Sequence, residues 1–180
     1  MTQVVRGFWH GGPLSPYETL CLTSFLDHGH RFELFSYDRA LAVPQGVVLR
    51  DAAVILPADS VYFYTGGPGA GSVAGFANLF RYELLHRHGG WWVDTDVLCL
   101  SPHLPDTGRF LAWEEPGPAL VGNAILRLHS DDPLLVRLLA DRSVFRGDAP
   151  WGTAGPKLLT RAEREMGIEP EVRAHTLAYP

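Results

Sequence analysis

The chain has 180 residues, enough for one compact domain over residues 1–180 with a buried core. Hydrophobic residues make up 46% and charged residues 19%, a globular composition that excludes a disordered chain. The formal net charge of -5 argues against a nucleic-acid binder, which needs a basic face to neutralise phosphates.

Val4 to Trp9 reads as a short buried strand closed by the turn Gly11-Gly12-Pro13. Ser15 follows as a helix N-cap, with Pro16 at the first helical position and Glu18 three residues after the cap, predicting a helix to about His28. Arg31 to Tyr37 alternates apolar and polar side chains, as a half-buried strand does. A further strand is expected within Val47–Leu56, and a short extended run at Val61–Tyr64. Thr65 to Ser72 is a glycine-rich stretch, expected to be a flexible lid or plain connector; it lacks the lysine of a P-loop.

A helix from about Val73 to His88 ends at Gly89-Gly90, and Trp91 to Val93 forms a strand running into Asp94-Thr95-Asp96, with Val97–Leu100 continuing extended. Strands at Arg109–Glu114 and Ala119–Leu128 come next, then a helix from Pro133 capped by Asp132, another from Pro156, and a strand at Val172–Tyr179. Strand–helix–strand order predicts an α/β layered domain with a mixed, mostly parallel sheet. Cys21 and Cys99 sit in apolar runs and read as buried thiols. The pairs His28/His30 and His86/His88 fall at helix C-termini and read as caps rather than zinc ligands. With no run of about 18 apolar residues and no signal-type segment in Met1–Gly12, a soluble cytoplasmic protein is expected.

The chemistry concentrates around Asp94 and Asp96. Placed two apart on a strand they share a side, and beside Trp91 and Trp92 they would repel unless a cation sat between them. Hard oxygen ligands select magnesium, manganese or calcium over zinc. The triplet alone is weak, because 11 aspartates in 180 residues produce Asp-x-Asp by chance roughly 0.7 times. The preceding helix strengthens it, since Asn78, Arg81 and Leu85 lie on one face while Val73, Ala77, Phe80 and Leu84 form an apolar stripe.

The run Asn78-Leu79-Phe80-Arg81-Tyr82-Glu83-Leu84-Leu85, followed by Gly89-Gly90-Trp91-Trp92-Val93-Asp94-Thr95-Asp96-Val97, resembles the signature of the DXD-motif sugar transferases. That group, glycosyltransferase family 32-like, includes initiating mannosyltransferases of yeast-type glycan synthesis and is similar here to the large glucosylating bacterial toxins. Phe8-Trp9-His10-Gly11-Gly12 resembles the family's first strand; Gly122-Asn123-Ala124-Ile125 and Trp151-Gly152-Thr153-Ala154-Gly155-Pro156 resemble its downstream blocks.

The resemblance implies a GT-A-like, Rossmann-like nucleotide-sugar-binding fold, a Mn²⁺ or Mg²⁺ cofactor, and a hexosyltransferase retaining the anomeric configuration. It implies a UDP-sugar in preference to GDP-mannose, and a glycan, protein or small-molecule acceptor. Carried onto this chain, Trp9 stacks on the base, Arg81 contacts the donor sugar or phosphate, Asp94 holds hydroxyls and assists the metal, and Asp96 ligates the metal. Asn78 stands where many members have an aspartate that binds sugar hydroxyls, so its bonds lack charge assistance. Asn123, Trp151 and Glu114 are weaker candidates for the acceptor side, Trp151 because sugar faces stack on aromatic rings. A chain of this length leaves the acceptor to a partner, a second copy of the chain or an open site. The rivals are a sugar nucleotidyltransferase, which would act on the diphosphate, and a degenerate module that only binds nucleotide sugar or glycan.

Overall fold

The computed structural model describes residues 2–117 and 119–179. Among these, six strands form one sheet: β1 (Val4–Phe8), β2 (Arg31–Ser36), β3 (Val48–Asp51), β4 (Gly90–Val93), β5 (Phe110–Trp113) and β6 (Val121–Leu128). The sheet order is β3-β2-β1-β4-β6-β5. The first four strands in that order run parallel, and β6 joins antiparallel to β4 and to β5. Four helices complete the layers: α1 (Pro16–Asp27), α2 (Ala74–His88), α3 (Pro133–Ala140) and α4 (Pro156–Met166).

Strand periodicity separates two cores. On one face Val5, Phe32, Leu34, Trp91 and Val93 pack with Leu22 and Phe25 of α1. On the other, Phe8, Phe35 and Trp92 pack with Phe76, Phe80 and Leu84 of α2 and with leucines of α3 and α4. Because α2 lies between the sheet and α3, it is buried on several sides, including at the polar residues Asn78 and Arg81.

The helix signals hold. Ser15 and Glu18 form a reciprocal capping box at α1, and the Asp132 side chain caps α3. Only Gly89 separates α2 from β4, with φ of 59° there and 87° at Gly90. A Cβ on Gly89 would also stand 2.9 Å from the Ser130 nitrogen, so this joint requires glycine.

Several sequence expectations need correction. β2 is covered on both faces rather than half-buried, and its one buried acid, Glu33, is matched by Arg6 and Arg50. β3 is shorter than Val47–Leu56 because Asp51 caps a 3₁₀ turn at Ala52–Val54. Residues 61–64 and 97–100 run outside the sheet. The last segment is no strand: Arg173 makes an isolated bridge to Ala112, and His175–Leu177 is a 3₁₀ turn. His30 is no cap either; it is 4% exposed, its Nδ1 accepts from Gln3 N, and burial lowers its pKa. Cys21 and Cys99 are buried free thiols as expected. Among the described residues no helix is long and apolar enough to cross a membrane.

Candidate functional site

Strands β1 and β4 are neighbours although two strands and two helices, α1 and α2, separate them in sequence, so chain connections diverge from this point of the sheet. Open α/β sheets hold ligands at the carboxyl ends of strands beside such a divergence. Here a cleft of about 460 Å³ opens there, lined by Phe8 at the end of β1 with Trp9 and His10 after it, and by Asp94, Thr95 and Asp96 after β4. Arg81 and Asn78 enter it from α2, Asn123 from β6, Glu114 from the end of β5, and Trp151 from the loop before α4. All eight residues singled out from the sequence therefore line one cavity.

Its buried centre is an Arg81–Asp94 pair. Arg81 is 3% exposed, and its Nη2 donates to Asp94 Oδ1 at 2.5 Å while Nη1 donates to the Asn123 carbonyl at 2.5 Å. The Trp92 indole N–H also donates to Asp94 Oδ1, at 2.8 Å, and the Arg81 guanidinium lies 4.9 Å from the Trp92 ring centroid. Asp94 N bonds the Ala124 carbonyl at 2.8 Å, so β6 fixes both partners through successive backbone oxygens. Burial pushes the Asp94 carboxyl above its ordinary pKa; Arg81 and the Trp92 indole pull it down, and the nearby Asp96 charge adds to the rise.

Asp96 differs. The two aspartates do not continue the strand: Val97 N closes on the Asp94 carbonyl at 3.1 Å, turning the backbone at Thr95-Asp96. Asp96 is exposed, and its backbone carbonyl accepts from the Tyr17 hydroxyl at 3.1 Å. Among the described residues no cluster of three His, Cys, Asp or Glu assembles. Asp96, with Asp94 beside it, is a hard-oxygen set suited to Mg²⁺ or Mn²⁺ taking its other ligands from phosphate and water.

Beside the charged pair the lining is amide and aromatic. Asn123 Nδ2 donates to Asn78 Oδ1 at 2.7 Å, and both amides are 8% exposed. Gly155 closes over them, where a Cβ would stand 2.9 Å from Asn123 Nδ2. Trp151 is 48% exposed and tilts against Tyr64, ring centroids 5.1 Å apart. Its ring lies on Gly69, where a Cβ would meet it at 2.0 Å. The glycine loop is tied down: Tyr64 N bonds Ser72 O, Gly71 N bonds Tyr64 O, and Thr65 N bonds Gly147 O. At the rim, burial and then Glu115 raise the pKa of Glu114.

Trp9 is half-buried with its indole N–H on the Gly12 carbonyl at 2.8 Å. Sequence reasoning passed over His10 and Tyr64, which also line the cleft. His10 was within sight, adjoining Trp9; Tyr64 carries no signal beyond preceding a glycine loop.

No protein-family model matches the chain, and no curated protein matches it. Among solved structures it is similar to the PaToxG glycosyltransferase, with a TM-score of 0.61 and 13% identity over 92% of this chain and 69% of that one. The α/β sheet, mixed and mostly parallel, is thus a GT-A-like fold.

Proposed function

We propose that the chain is a metal-dependent glycosyltransferase drawing its sugar from a nucleotide-diphosphate donor, a UDP-sugar in preference to GDP-mannose, with retention of configuration. One observation carries the reading: residues from six separate parts of the chain, chosen on sequence alone, converge in one cleft at the carboxyl ends of β1 and β4. The fold shared with the PaToxG glycosyltransferase supports the same class.

In this reading Trp9 stacks on the base. Asp96, with Asp94 assisting, holds Mn²⁺ or Mg²⁺; when bound, the ion stabilises charge on the departing nucleoside diphosphate. Arg81 opposes the upward push of burial on the Asp94 carboxyl and orients it, and its positive charge lies behind the diphosphate. Asn78 and Asn123, having used one N–H and one carbonyl on each other, offer the complementary pair to sugar hydroxyls. Trp151 gives the acceptor a flat face, and Glu114 stands at the entrance.

The test is product analysis after incubation with UDP- and GDP-sugars and Mn²⁺. Free sugar, or glycosylated acceptor, with nucleoside diphosphate is the expected outcome. Sugar phosphate would identify a nucleotidyltransferase. Donor binding by thermal shift with no cleavage across metals would identify a degenerate binding module.

A further inference from the structure

β6 is irregular where it serves the site. Ala112 pairs with Gly122 and Phe110 with Arg127, so two steps along β5 face five along β6. The extra residues bulge out of the ladder on that side, and they include Asn123 and Ala124, whose carbonyls hold Arg81 and Asp94. Bulges of this kind re-aim side chains and leave a backbone N–H without a ladder partner. At Ile125 the missing partner is a side chain: its N–H donates to the Tyr179 hydroxyl at 3.2 Å.

Tyr179 reaches that point by a fixed route. Arg173 lies alongside β5 in a parallel bridge at Ala112, its N–H donating to Leu111 O at 2.8 Å and its carbonyl accepting from Trp113 N at 3.0 Å, and the chain then turns through His175–Leu177. The Tyr179 ring comes to rest on Gly122, where a Cβ would lie 2.4 Å from it. Burial pushes the phenol up to about 12, so the hydroxyl stays protonated at any working pH.

We infer that Tyr179 is a positioning residue: by filling the β6 bulge from behind, it sets the height of the Asn123 and Ala124 carbonyls and thereby the Arg81–Asp94 pair. The effect on the pair follows from geometry alone; the effect on turnover rests on the transferase reading.

The experiment pairs Tyr179→Phe, which keeps the ring and removes the hydroxyl, with Gly122→Ala, which pushes the ring away. In both, the Trp92 indole N–H resonance, assigned with Trp92→Phe, should move. Amides of Ile125 and Asp94 should exchange about tenfold faster while Leu34 in β2 keeps its protection. With a donor that the wild type uses, kcat should fall about tenfold to a hundredfold, the size expected of a small misplacement. Tyr179→Ala combined with Gly122→Ala should be no worse than Tyr179→Ala alone, because both act through one contact. An unmoved Trp92 resonance, protection lost equally at Leu34, or additive losses in the double variant would overturn the inference. If the wild type turns over no nucleotide sugar, the transferase reading fails while the resonance and exchange measurements still decide this one.

Discussion

The two walls of the cleft are built on opposite principles. The wall from α2 and β4 is charged, and its parts lie within sixteen consecutive positions, from Arg81 to Asp96. The wall from β6, the glycine loop and the α4 approach is neutral, and is assembled from segments far apart in sequence whose glycines let rings and amides touch backbone. Charge needs stiff, desolvated support, since a half-matched buried ion is costly, whereas ring faces tolerate adjustment. In the transferase reading proposed above, the first wall would take the diphosphate and cation, and the second the uncharged parts of a substrate.

This contrast can be broken. The largest effect should come from Asp96→Asn, which removes one charge from an exposed side chain. We expect turnover to fall about a thousandfold, several kcal/mol of transition-state stabilisation, with an unchanged melting temperature. A drop in stability instead would make Asp96 a structural acid.

Next comes Arg81→Met, which strands Asp94 beside Trp92. Unfolding in denaturant should show a loss of about 3 kcal/mol, the lower end for a broken buried pair because Asp94 is 32% exposed in its side chain. Adding Asp94→Asn should restore much of that stability without restoring activity. Equal losses in the single and double variants would mean that the pair is not the reason Arg81 matters.

On the neutral wall, Gly69→Ala should act sterically, displacing Trp151 into solvent. The expected loss is about fivefold in turnover, the worth of one aromatic face contact, with little change in stability. A stability loss as large as that of Arg81→Met would erase the distinction between the walls.

The smallest effect lies behind the neutral wall. Glu163 in α4 is 0% exposed, neither carboxylate oxygen has a partner, and burial, with Glu169 adding, raises its pKa. The folded state holds the proton above the ordinary carboxylate value, so stability is complete at low pH and is lost as pH rises toward the folded pKa. Glu163→Gln should match the wild type at about pH 4 and melt higher at about pH 8. Identical curves at both would show that Glu163 is not titrating.

The same division governs what the sequence could reveal. The α1 start was legible because a capping box is a local exchange of bonds between Ser15 and Glu18. Asn78, Arg81, Asp94 and Asp96 were legible because helical spacing and one short joint carry them into the cleft together. The sheet-edge elements were not. Val172–Tyr179 has strand-like composition, but β5 offers it only one bridge, at Ala112, before the chain turns. The β6 bulge depends on Tyr179 arriving 54 residues later than Ile125, and no local pattern records such a meeting. The burial of β2 on both faces was hidden by Glu33, which reads as solvent-facing until Arg6 and Arg50 appear beside it.

The single-residue joint at Gly89 has a consequence for anyone lengthening this chain. With no slack between the last helical turn and the first residue of β4, a graft there would rotate the helix relative to the strand and pull the guanidinium off its carboxylate. The exposed residues 101–103, between β4 and β5, lie at no such joint and are the place to splice in a tag or an extra module.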